Sequence, residues 1–239
     1  MTKQTLQDGS EVFEVTVLRP AKPSCTVLFA VGGGGDPRRH LPLLESLAEY
    51  GCTVVAPHFE RLLSPSPAED QLLLRARRLR LALDSVAGPE ATVAGVGHSI
   101  GTTMLLALAG AKAWMGPGHP LLITADTRIH RLVLLAPATA YFQAPGALDG
   151  VNTPILAWAG TEDTITPPVQ AELLRDALGT RVPVQLRVTT GAGHFTFMNV
   201  PPPQSTESLP NRDAFLQELT AEVCGFVSRS AGCEREVEL

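Results

Sequence analysis

Residues 91–112 read "ATVAGVGHSIGTTMLLALAGAK", and two structural elements meet inside them. Up to His98 the residues are apolar, small or β-branched, which suits a strand covered on both faces of a sheet. From Ser99 to Lys112 the pattern is that of a helix lying on such a sheet. Similar apolar runs recur at 25–31, 52–59, 131–138, 154–160 and 182–190, with helical patterns between and after them at 37–50, 67–87, 167–178 and 211–228. Nearly continuous alternation of this kind predicts an α/β fold, a doubly wound and mostly parallel sheet with helices on both faces. Ahead of it, "EVFEVTVLRP" (11–20) alternates apolar and polar residues, which predicts a half-exposed strand paired antiparallel with the segment before Asp8-Gly9.

The chain has 239 residues, 44% hydrophobic and 18% charged, enough to bury a sizeable core. No composition shift, repeat or low-complexity tract marks a boundary, so one domain spanning 1–239 is expected. The only places where a lid could be inserted are the short excursions 113–130 and 139–150, so an open site is expected. A net charge of −5 offers no electrostatic footprint for nucleic acid. The N-terminal residues lack a signal-peptide pattern and no apolar run reaches membrane-spanning length, so a cytoplasmic protein with no membrane partner is expected. Cys25, Cys52, Cys224 and Cys233 show no CxxC or metal-ligand spacing; reduced thiols are expected, with no metal and no cofactor. In the helix at 67–87, Leu72, Ala76, Leu79, Leu83 and Val86 form an apolar stripe, and Arg75, Arg77, Arg78 and Arg80 fall largely off it, which predicts a solvated basic face.

At the junction, Gly97-His98-Ser99-Ile100-Gly101 matches G-x-S-x-G in the strand-to-helix context that a nucleophile elbow requires. The bland alternative is a serine serving only as a helix N-cap. A dinucleotide loop fits less well, because Gly95, Gly97 and Gly101 depart from the G-x-G-x-x-G spacing and no acid follows about twenty residues on. Nor does "VGGGGDP" (31–37) contain the Gly-Lys-Ser/Thr of a phosphate loop.

A serine hydroxyl needs a base, and the base needs an acid to orient it, both at the ends of later strands. "PILAWAGTEDTITPP" (154–168) supplies Asp163, with Glu162 as the alternative acid, and "LRVTTGAGHFTF" (186–197) supplies His194 on a glycine-flanked turn. Asp126 and Asp149 lie in the excursions and rank lower. Of the remaining histidines, His40 falls in a helix, His58 at a strand end, and His119 and His130 in an excursion. His98, as neighbour of Ser99, is expected to point away from it. The glycine run after the first parallel strand then has a use: Gly33, or alternatively Gly34, would supply one backbone N–H to an oxyanion and Ile100 the other.

These motifs, running from "VLFAVGGGGDP" to the last helix, resemble the alpha/beta-hydrolase superfamily. Residues 126–138 and 191–199 resemble its dienelactone-hydrolase-like branch, with two departures. That branch proper uses a cysteine where this chain has Ser99, so its lactone substrate is not carried over, and the histidine usual before the first oxyanion-loop glycine is Val31 here. The resemblance implies hydrolysis of a small ester or thioester through a serine acyl-enzyme. A peptidase or amidase lies within the same chemistry, and a non-catalytic ligand-binding or scaffold protein is the alternative from another class.

Overall fold

The computed structural model describes residues 1–228 apart from 180, 204 and 206–208; Cys233 lies outside the described residues. In chain order the strands are β1 (Thr2–Asp8), β2 (Glu11–Leu18), β3 (Cys25–Ala30), β4 (Cys52–Pro57), β5 (Val93–His98), β6 (Trp114–Gly116), β7 (His119–Pro120), β8 (Ile129–Leu135), β9 (Ile155–Gly160) and β10 (Val184–Thr189). The helices are α1 (Leu41–Glu49), α2 (Glu69–Asp84), α3 (Ile100–Leu108), α4 (Val169–Leu178) and α5 (Arg212–Ser228). Eight strands form one sheet in the order β1-β2-β4-β3-β5-β8-β9-β10. From β4 to β10 the pairing is parallel, while β1 and β2 form the expected antiparallel hairpin at one edge.

Alternation along the strands divides the core between the two faces. Leu28, Leu132 and Leu134 join the cluster beneath α2, α3 and α4, and Val27, Phe29, Val133 and Leu135 join the one beneath α1 and α5. The sheet is therefore covered on both sides, as its apolar strands require. The two edges are less covered: β10 leaves Val188 46% exposed, and the β1–β2 hairpin leaves Val12 67% exposed. The expected helix at 37–50 is split into a 3-10 turn, Pro37–His40, and α1, whose second residue is a proline. Among the described residues, no helix is long and apolar enough to cross a membrane.

Strand order reverses at β3, whose neighbours β4 and β5 are reached in opposite directions. The loops following β3 and β5 thus flank a crevice at the carboxyl edge of the sheet, where open α/β sheets place ligands. The excursion 113–130 forms the β6–β7 hairpin, and Trp114 to Gly118 face Ala140 to Ala144 of the second excursion across a shared hollow.

Two expectations are corrected. Cys25 and Cys52 are not reduced thiols: they open adjacent parallel strands, stand opposite each other in register and form a disulfide. Their separation of 27 residues gives no local signal, and closing a loop of that length stabilises the fold by about 3.5 kcal/mol in the chain-entropy account. Cys224 is a buried free thiol on α5, and burial raises its pKa to about 11. The arginines of α2 are a solvated face only in part: Arg77 is exposed and Arg80 half-buried, and all four have partners. Arg75 and Arg78 are buried, Arg77 and Arg78 both bind Asp8 at the end of β1, and Arg80 reaches the carbonyl of Thr124. They tie α2 to the hairpin edge and to the loops above the sheet.

Candidate active site

Ser99 sits between β5 and α3 with φ 55° and ψ −130°, a conformation that residues with a Cβ adopt only under constraint. Its N–H donates to Leu135 O at 3.0 Å, and its carbonyl accepts from the N–H of Thr102 at 2.8 Å. Small neighbours let the turn close: a Cβ on Gly101 would stand 2.1 Å from Ala30 O, and one on Gly97 would stand 2.8 Å from Leu105 Cδ1. The serine therefore stands at the first turn of α3, where free N–H groups and the positive end of the helix dipole converge.

The three side chains expected to meet are brought together. His194 Nε2 lies 2.9 Å from Ser99 Oγ, and its Nδ1 lies 2.8 Å from Asp163 Oδ2. Asp163, on the turn after β9, is 2% exposed, and His194, on the turn after β10, is 7% exposed. These two turns are pressed together, since a Cβ on Gly160 would meet Ala192 O at 2.1 Å. Oδ1 of Asp163 accepts from the N–H groups of Ile165 at 2.9 Å and Thr166 at 2.7 Å, and Oδ2 accepts from the Thr166 hydroxyl at 2.8 Å. Burial pushes the carboxyl upward in pKa, but its bond to His194 and those from Thr166 outweigh this and hold it below the usual value. With Nδ1–H donating a hydrogen bond to that carboxylate, Nε2 is left to accept from the serine. Glu162, the alternative acid, is exposed, and Asp126 is bound to Arg128.

His98 points away from Ser99, as expected. Its ring is buried between His40 and His194, with centroids 5.3 and 4.9 Å away, and its Nε2 lies 2.9 Å from His194 O. His40 is also buried, as the last residue of the 3-10 helix that precedes α1. Burial lowers the pKa of both imidazoles, that of His40 to about 3.

A cavity of about 480 Å³ opens at Ser99 and His194. Gly33 and Gly34 line it on one side, and Leu62, Ile165, Phe195, Met198 and Pro202 supply apolar wall. None of its lining residues comes from the two excursions; beside Gly33, Gly34, Ile165, His98, Ser99 and His194, the lining comes from Arg39, from 61–62 and from 195–203, which the sequence did not assign to a cavity. Thr166 was also missed, although Asp-x-x-Thr is the spacing of a side-chain-capped turn and was readable as such.

Solved structures with this architecture cover nearly the whole chain. A structure described as an alpha-beta serine hydrolase homologue from Coxiella burnetii superimposes with a TM-score of 0.66 at 19% identity, over 94% of this chain and 96% of that one. This is the alpha/beta-hydrolase fold. Esterase 2 of Thermogutta terrifontis, solved phosphorylated by paraoxon, shares the alpha/beta-hydrolase architecture at TM-score 0.60 and 16% identity, over 95% of this chain and 96% of that one. A predicted CIB-like hydrolase from Thermoplasma acidophilum gives 0.64 at 12% identity, over 94% and 98%. No protein-family model matches the chain, and no curated protein matches it in sequence. In this alpha/beta-hydrolase fold Ser99, Asp163 and His194 follow β5, β9 and β10 respectively, so the site rests on three strand ends of one rigid sheet.

Proposed function

We propose that this chain is a serine hydrolase that cleaves a carboxylic ester or thioester of a small substrate through an acyl-enzyme intermediate. The observation that carries the reading is the unbroken relay from Ser99 Oγ through His194 to Asp163, at 2.9 and 2.8 Å, beginning at a strained serine. Ser99 attacks the carbonyl carbon while His194 takes its proton, and His194 then returns that proton to the leaving alcohol or thiol. Water repeats the cycle on the acyl-enzyme, with His194 again as base. Asp163 fixes the tautomer and stabilises the imidazolium. The N–H groups of Ile100 and Gly33 receive the oxyanion, with Gly34 the alternative to Gly33.

A cavity of about 480 Å³ whose walls combine apolar side chains with Arg39 and Arg61 supports a small organic substrate. The names borne by the structural neighbours, serine hydrolase homologue and esterase, agree with this chemistry. The resemblance of 126–138 and 191–199 to the dienelactone-hydrolase-like branch belongs to the same proposal.

Turnover of p-nitrophenyl acetate and butyrate tests it. Ser99→Ala should lower kcat by about 10⁴-fold or more. Undiminished turnover in that variant would sink the assignment. A fluorophosphonate should label Ser99 in the wild-type protein and do so far more slowly in His194→Ala.

A further inference from the structure

Arg75 is only 2% exposed, and among the described residues no carboxylate lies within ion-pair distance of it, unlike Arg77, Arg78 and Arg80 on the same helix. Its guanidinium lies over the Phe59 ring, 4.7 Å from the centroid, and is held by main-chain carbonyls. Nη2 donates to Glu60 O at 3.0 Å, and Nη1 donates to Gly32 O at 3.2 Å with Val31 O at 3.5 Å. Removing a guanidinium from water is costly, and three carbonyl dipoles with an aromatic face are what offset it here. Burial lowers its pKa to about 10, which leaves it charged at neutral pH.

The carbonyl of Gly32 belongs to the same peptide unit as the N–H of Gly33. In a planar trans peptide these two groups point in opposite directions. Arg75 lines a recess with Phe59, Glu60 and Arg78, whereas Gly33 lines the cavity at Ser99, so this peptide spans the two spaces. It also abuts the serine, because a Cβ on Gly32 would lie 3.3 Å from Ser99 Cβ. The N–H of Gly33 donates to no described partner, which leaves it free for a ligand. The Gly32 carbonyl also accepts from the N–H of Gly35 at 3.1 Å, so Arg75 adds a charged donor to a turn that a neutral one closes, whereas the next peptide has only the neutral N–H of Leu62 on Gly33 O at 2.8 Å.

We propose that Arg75 is a positioning residue for the oxyanion site: through its bond to the Gly32 carbonyl, which it shares with the Gly35 N–H, it helps hold the Gly33 N–H toward the cavity and, as the charged partner, strengthens it as a donor. This rests on the hydrolase reading above. A cation on the carbonyl oxygen draws electron density from the peptide nitrogen, so the N–H binds a developing negative charge more strongly. The gain is realised when the substrate oxygen becomes an oxyanion, so it appears in kcat and not in KM.

The test compares Arg75→Met, which keeps an apolar stem, and Arg75→Lys, which keeps the charge. Both are assayed for kcat and KM on p-nitrophenyl acetate. Both are also titrated with a trifluoromethyl ketone, which adds to the serine as an oxyanion, and with the matched methyl ketone, which binds without adding. Arg75→Met is expected to lower kcat by about 10-fold, below the loss from deleting an oxyanion donor outright. KM should stay within about twofold, the trifluoromethyl ketone should weaken in proportion and the methyl ketone should not. Arg75→Lys should retain more activity than Arg75→Met. An unchanged kcat, or an equal weakening of KM and both ketones, would overturn the proposal and leave Arg75 a structural strut. Should Arg75→Met fail to fold, Arg75→Lys decides alone, because a shorter side chain without the planar fork loses the two-nitrogen geometry on the Gly32 and Glu60 carbonyls, and kcat should still fall at constant KM. Wild-type turnover that is absent or survives Ser99→Ala refutes the hydrolase reading and this inference with it. Serine-dependent turnover with normal kcat in the arginine variants refutes the role of Arg75 alone.

Discussion

A φ of 55° at Ser99 costs about 1–3 kcal/mol for a residue with a Cβ, and it persists because its surroundings over-determine it. The same over-determination holds at Asp163, whose two oxygens accept from two N–H groups, a hydroxyl and an imidazole. Thr166 supplies both an N–H and that hydroxyl, and its Oγ1 also lies 3.1 Å from His194 Nδ1 and from Ala136 O. Thr166→Val keeps the side-chain shape and the N–H but removes the hydroxyl. Because its principal partner is charged, the loss is expected to destabilise the fold by about 1.5–3 kcal/mol, read from urea unfolding. The sign with pH follows from the lowered carboxyl pKa: the stability that Asp163 contributes is present above about pH 4 and is lost as pH falls through its folded-state value. In Thr166→Val that acid step should shrink. An unfolding free energy within about 0.5 kcal/mol of wild type would mean the hydroxyl is not an effective partner of the carboxylate.

At the scale of elements, the docking of α3 on β3 is decided by one missing methyl group. A Cβ at Gly101 would lie 2.1 Å from Ala30 O and 2.7 Å from Val31 O, both main-chain atoms with no room to give. Gly101→Ala is therefore expected to cost more than about 3 kcal/mol, while Gly116→Ala, with nothing nearby, should change stability by no more than about 0.5 kcal/mol. Equal thermal stability for the two variants would contradict this packing. Gly97 and Gly101 were legible because an elbow between strand and helix has a fixed spacing, and Asp163 and His194 were legible because each sits on a turn ending an apolar strand. The arginines of α2 were not. Their spacing on the helix is the spacing of a solvated face, and their partners lie far off in sequence, at Asp8 and at the carbonyls of Gly32 and Glu60. The Cys25–Cys52 bridge was hidden for the same reason, since only the register of β3 on β4 brings the two together. The cavity walls at 61–62 and 195–203 lie in irregular backbone, where hydrophobic periodicity carries no signal.

For the molecule as a whole, the adjacent, mutually tilted rings of His40, His98 and His194 turn a local packing choice into a property of global stability. His40 and His98 are buried, and burial lowers both pKa values, to about 3 for His40 and well below 6.5 for His98. Burial also lowers that of His58, which the charges of Glu14 and Asp36 oppose. Unfolding releases these imidazoles to water, where each titrates near 6.5. Below that pH the unfolded chain binds protons that the folded chain refuses, so the folded state loses stability as pH falls. The slope is about 1.4 kcal/mol per pH unit for each imidazole once the unfolded chain is fully protonated there. Above pH 4.5 the lowered carboxyls, Asp163 included, remain ionised in the folded protein and contribute little to this slope. Urea midpoints measured from pH 7 to 4.5 should therefore decline steadily. His40→Phe, which fills the same space without a titrating group, should flatten the decline by the share of one imidazole. A wild-type profile that is level across this window would show that the two rings take up protons inside the folded protein, and the packing of the three rings would then need another account.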